Sequence, residues 1–132
     1  MIALDTNVLV RFLVRDDEKQ AQAVYARFKQ AESAREALFV SMLVVLETMW
    51  VLESVYDKSR KEILDSFDEL KSMPILEFEN VQVLHSLLSD GGKGNADLSD
   101  MLIALAAQSC GCSAGVTFDK KASKLPFFRL LT

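Results

Sequence analysis

Histidine and cysteine are scarce in this chain: one His (His85) and two Cys among 132 residues. That is too few for a zinc site built from those residue types. Cys110 and Cys112, two apart near the C-terminus, cannot staple a fold of this size. Glycine is sparse as well, five in all, and three of them fall in the one clear loop, residues 89–95. Neither Gly-x-Gly-x-x-Gly nor a Gly-Lys-Ser/Thr ending occurs there, which excludes a phosphate-binding loop of either kind. The longest apolar run, 39–52, is too short to span a bilayer and is interrupted by Glu47. No signal peptide precedes Ile2, so the expected location is cytoplasmic. An excess of positive charge is absent too. The formal net charge is -4, poor material for coating DNA without specificity, so any nucleic-acid contact has to come from a local basic patch. An enzyme that meets nucleic acid through metal ions held by carboxylates remains compatible with that balance.

What is present is ordinary for a soluble globular protein: 50% apolar and 26% charged residues. The length suits one domain, 1–132, able to bury roughly two thirds of the surface its unfolded chain would expose. Ile2, Ala3 and Leu4 make a short apolar run ending in Asp5, Thr6 and Asn7, and Val8, Leu9, Phe12 and Leu13 then resume with helical spacing. This reads as a buried strand, a polar turn and a helix start. So short and apolar a strand is most easily placed in the middle of a parallel sheet covered on both faces. Ligands in such sheets bind beyond the carboxyl ends of the strands, where Asp5 lies. The competing role is that Asp5 and Asn7 only cap the helix; this stretch alone does not choose.

Further along, Ala21, Val24, Tyr25 and Phe28 mark a helix over Glu18–Ala34 with a solvated polar side. Residues 38–40 form a second strand, and Ser41 is placed to cap a helix over 42–55 that is apolar on nearly every side. A helix over 59–71 buries Ile63, Leu64, Phe67 and Leu70. Residues 75–78 form a third strand and 80–88 another helix. A last helix runs from Asp97 to about Ser109, with Gly111 as its stop signal. Residues 114–116 form a strand leading to Thr117-Phe-Asp119, and 127–131 an edge strand. Strands alternating with helices predict an α/β three-layer fold.

Of the 19 acidic residues, most lie where charge is expected. Glu47 instead has Leu43, Leu46, Trp50 and Val51 around it at helical spacing, and Asp100 has Ile103, Ala104 and Ala107. A buried carboxylate is costly unless paired with a base or bound to metal. Asp97 and Asp100 share a face at a helix start, where the helix field favours negative charge; Asp97 either caps that helix or joins Asp100. Asp119 stands to its strand as Asp5 does to the first. Carboxylates brought together repel and raise one another's pKa unless a cation offsets them. A hard ion with oxygen ligands, Mg²⁺ or Mn²⁺, is the natural counter-charge, and such ions support phosphodiester hydrolysis.

Four stretches carry a family resemblance: Ile-Ala-Leu-Asp-Thr-Asn-Val-Leu (2–9), Val40-Ser41 with Glu47 on the next helix, Asp-Leu-Ser-Asp-Met-Leu-Ile-Ala (97–104) and Val-Thr-Phe-Asp-Lys (116–120). In that order the chain resembles a PIN-domain ribonuclease, most closely the toxin of a VapBC-type toxin–antitoxin pair. Ala122, where relatives commonly carry an aromatic, and Leu98, where Phe is frequent, depart from the pattern in packing and not in ligands. The resemblance implies a three-layer α/β/α fold with a central parallel sheet, and an acidic pocket of Asp5, Glu47, Asp100 and Asp119 holding Mg²⁺ or Mn²⁺. Asp5, Asp100 and Asp97 would bind the ion, Glu47 would complete the set or orient the attacking water, and Asp119 would bind a second ion or a water. Asn7 and Thr117 would donate hydrogen bonds to the acids and hold their rotamers. It further implies cleavage of RNA (tRNA or another structured RNA), a VapB-like antitoxin that blocks the pocket, and homodimerisation.

Arg11, Arg15, Lys93, Lys120 and Lys121 either contact RNA phosphates or balance nearby acids on a wet surface. Two rival functions stay open beside the ribonuclease: a catalytically silent PIN-like scaffold, and another carboxylate–metal enzyme such as a DNA nuclease or phosphatase. A scaffold has no reason to keep so many carboxylates together.

Overall fold

The structure, a computed structural model, describes residues 1–132, which fold as two compact units, Met1–Val81 and Gln82–Thr132. The first contains β1 (Ile2–Ala3), α1 (Thr6–Leu13), α2 (Glu18–Ala34), β2 (Leu38–Val40), α3 (Met42–Ser54), α4 (Arg60–Lys71) and β3 (Leu76–Phe78). The three strands are parallel and hydrogen-bonded in the order β1-β2-β3, with Ile2 opposite Leu38 and Leu38 opposite Leu76. Helices α2, α3 and α4 end within about one residue of where the apolar pattern places them, because each starts on a cap written in the sequence. The Asp17 carboxylate accepts the Gln20 amide, Ser41 accepts the Val44 amide, and Ser59 and Glu62 form a reciprocal capping box. Parallel strands with helical connections are the PIN-like α/β architecture expected.

The position of β1 differs from expectation. It lies at the margin of this three-stranded sheet, not in its middle, and Ile2 is half exposed. A run of apolar residues specifies a strand but not its neighbours, which are chosen by contacts distant in sequence. Helix α3 also shows a face the sequence could not assign. Val45, Thr48, Met49 and Leu52 are buried, while Leu43, Glu47 and Trp50 face outward. Glu47 is therefore exposed with its apolar neighbours, contrary to the reading of a carboxylate sunk among them. A helix apolar all round gives no periodic signal for its inner side.

Thr48 is fully buried and its hydroxyl has no hydrogen-bond partner. A buried, unpaired hydroxyl costs roughly 1–3 kcal/mol of desolvation. Thr48→Val keeps the shape and removes the hydroxyl, so it is expected to stabilise the chain by about 1 kcal/mol. Urea unfolding checks this as a raised midpoint with an unchanged slope.

The second unit contains most of α5 (Val81–Gly91), then α6 (Leu98–Ser109), β4 (Gly115–Thr117), a 3₁₀ turn at Ala122–Lys124 and β5 (Phe128–Leu130). β4 and β5 pair in parallel as a two-stranded sheet, Gly115 opposite Phe128, so β5 is an edge strand as expected. Gly111 stops α6 in a left-handed conformation, φ +94°. At Gly115 a Cβ would fall 2.6 Å from Cε2 of Phe127, so this position admits the ring only because it lacks a side chain.

Candidate metal centre

In the first unit, Asp5 lies two residues after β1 and occupies the position before α1, with extended backbone and its carbonyl accepting the Val8 amide. Its carboxylate makes no capping bond. Capping is thus a backbone matter here, and the exposed side chain is left to other work. The next residue supplies a contact that sequence reasoning missed. Thr6, buried in the first turn of α1, donates its hydroxyl to Oε1 of Glu47 on α3. Glu47 is thereby held by the residue next to Asp5, which lies 42 positions earlier in a chain of 132 residues. The only available signal was a threonine, buried by its neighbours, directly after the acid. Asn7 is exposed, and its side chain holds none of the acids.

Arg11 is engaged elsewhere. It donates to Gln20, Asp16 and Tyr56; the Tyr56 hydroxyl foremost, and then the charge of Asp16, raise its pKa. Arg15 lies 4.8 Å over the Tyr25 ring. Both arginines thus have structural partners of their own.

The second unit gathers three of the expected acids: Asp97 before α6, Asp100 in its first turn and Asp119 after β4. Asp97 again has the backbone of a cap but no capping bond; its Oδ1 accepts instead from Nζ of Lys121 at 2.9 Å. The Asp97 side chain therefore does not cap α6. Asp119 Oδ1 accepts the Lys121 amide at 2.8 Å, and the Asp119 amide donates to Oγ1 of Thr117. Thr117 therefore acts as an acceptor that shapes the turn, where a donor to a carboxylate was expected.

Burial raises the pKa of Asp100, the charges of Asp97 and Asp119 raise it further, and Lys121 opposes them. The three carboxylates are close enough to resist ionising together. Asp100 and Asp119 take part in no ion pair, so Lys121, bridged to Asp97, is the one base paired with the three acids of the second unit. This oxygen-only, mutually repelling donor set fits a hard divalent cation, and the Lys121 ammonium supplies the positive charge that such an ion would bring. No three His, Cys, Asp or Glu side chains are already arranged as a ligand group, Asp97 being held by Lys121 and Asp119 by its own turn.

A chain-wide comparison fits this geometry. The PIN domain family model matches residues 2–128, which takes in both units. The chain belongs to the PIN domain family. PIN domains are generally nucleases, hydrolases of phosphodiester bonds, and typically use Mg²⁺ or Mn²⁺. Comparison with curated proteins gave no significant match. No helix of this PIN domain is long and apolar enough to cross a membrane.

The raised pKa of Asp100 has a consequence for stability. A carboxyl that titrates higher folded than unfolded contributes stability that is full below the unfolded value of 3.8 and is lost as pH rises through the folded one. At neutral pH without metal, its charge therefore weighs against folding. Asp100→Asn in chelator is expected to raise Tm at pH 7 by on the order of one to three degrees, and by less as pH falls toward about 4. Calorimetric scans at the two pH values check the sign.

Proposed function

We propose that this PIN domain is an Mg²⁺- or Mn²⁺-dependent endoribonuclease, the toxin of a toxin–antitoxin pair, with a structured RNA such as tRNA as substrate. The observation that carries the reading is the Asp97, Asp100 and Asp119 cluster, whose charge is offset by Lys121 alone. Asp5, Asp97, Asp100 and Asp119 are the proposed ligands. When bound, the ion supplies Lewis-acid stabilisation of phosphoryl charge and makes water a stronger nucleophile. Glu47, steadied by the Thr6 hydroxyl, is proposed to orient the attacking water and take its proton. The Thr117 hydroxyl fixes the Asp119 backbone, and with it the direction of that carboxylate. Exposed Leu43, Trp50 and Val55 on and just after α3 support a covering partner, proposed as a VapB-like antitoxin or a second copy in a homodimer. A cytoplasmic setting is proposed with them.

A silent PIN-like scaffold is the second reading, favoured by the absence of a preassembled ligand group. The deciding experiment uses the purified full chain, free of any partner, on tRNA, single-stranded DNA and a phosphomonoester. The proposal expects RNA cutting with Mg²⁺ or Mn²⁺ and none in chelator. Equal cutting in chelator contradicts the metal mechanism; cutting of DNA or the monoester in place of RNA moves the protein to another hydrolase class.

A further inference from the structure

Beside the acids, the second unit holds a cleft of about 490 Å³ between the end of α5 and the 3₁₀ turn. That size is within the roughly 300–1,000 Å³ of small-molecule sites. Three lysines line it, Lys93, Lys121 and Lys124, against one acid, Asp90. A cleft of positive sign is unexpected in a chain of net charge -4. Lys121 and Lys124 are three apart across the 3₁₀ turn, whose geometry brings such side chains to one side, and the Lys124 amide bonds the Lys121 carbonyl at 3.2 Å. Lys93 and Lys124 take part in no ion pair, while Lys121 holds Asp97. The remaining wall is apolar: Met101, Leu125 and Pro126. The same three residues continue into a smaller adjoining cavity of about 160 Å³. Asn95 adds an amide that can both donate and accept.

Ammonium groups, apolar side chains and an amide lining one cleft match a phosphate, a base and a base edge. We propose that this cleft seats one nucleotide of the strand to be cut, its base against Met101, Leu125 and Pro126 and its phosphate on Lys93, Lys121 and Lys124. The assignment rests on the nuclease reading above and deepens it. It also links the cleft to the acids, because a phosphate that takes the Lys121 ammonium releases the Asp97 carboxylate. Seating substrate and freeing Asp97 become one event, and by linkage each favours the other.

The test is a titration of the full chain in chelator with adenosine 5′-monophosphate and, separately, with inorganic phosphate, followed by NMR of the backbone amides. The nucleotide should shift amides at 90–96 and 121–126 and bind about tenfold or more tighter than phosphate. Lys93→Ala/Lys124→Ala should weaken it about tenfold, and Asp97→Asn should tighten it several-fold by releasing Lys121. Unfolding curves matching the wild type show that each variant is folded. No binding, binding that the double variant leaves unchanged, or phosphate as tight as the nucleotide overturns the proposal. The two readings fail separately. Nucleotide binding with these variant effects but no metal-dependent RNA cutting upholds the cleft and sinks the nuclease, whereas cutting with unchanged KM and kcat in the double variant sinks the cleft alone.

Discussion

Asp5→Asn should lower metal-dependent RNA cutting by about 1,000-fold while leaving the fold as it is. The two halves of that result come from separate observations. Asp5 is exposed, joins no ion pair and makes no side-chain capping bond, so the substitution removes no side-chain contact that holds the fold. Asn is as good as Asp at the position before a helix, and the backbone bond from the Val8 amide to the Asp5 carbonyl survives the change. Cutting depends on the charge alone, since a neutral amide oxygen is a poor substitute for a carboxylate on a divalent ion. Rate and thermal midpoint should be measured on the same preparation. A rate within tenfold of wild type would remove Asp5 from the ligand set. Asp97→Asn is not an equivalent probe, because it also breaks the bridge to Lys121; that pair is about half exposed on both sides, and its loss alone costs about 0–1 kcal/mol.

The largest expected effect on stability is at Phe67. This ring is 1% exposed on α4, between the buried Ile63 and Leu70 of the same stripe. Phe67→Ala is expected to cost about 3–5 kcal/mol, lost transfer energy plus the cavity left behind. Against a typical total of 5–15 kcal/mol, that is enough to bring the chain close to its unfolding threshold. Urea unfolding should show a much lower midpoint with little change in slope. A cost below about 1 kcal/mol would mean that α4 does not anchor the first unit.

Phe67 also shows what the sequence makes plain. The stripe Ile63, Phe67, Leu70 faces polar residues across its helix, so period and burial agree. The same holds for α2, whose bounds match the pattern at both ends. Helix α3 has no polar side to contrast with, so its extent was legible but its inner face was not, and Glu47 was assigned to the wrong environment. Strand β1 was legible as a strand and not as a margin. At the site, the acids stood out because each breaks a local rule, a charge at a strand end or amid apolar neighbours. Their partners did not stand out. That Thr6 meets Glu47, that Lys121 meets Asp97 and that Lys93 shares a cleft with Lys124 are facts of tertiary structure between residues unremarkable on their own. Thr117 was expected to donate and instead accepts, since a hydroxyl can do either and only the turn decides.

The account turns on carboxylates from different parts of the chain serving one divalent ion, and equilibrium binding of Mn²⁺ to the full chain, read from the resonance of the free ion, tests it most directly. Saturable binding that Asp5→Asn and Asp100→Asn each weaken by about tenfold or more is the expected result. Binding of equal strength in wild type and both variants, or no saturable binding at all, would contradict it.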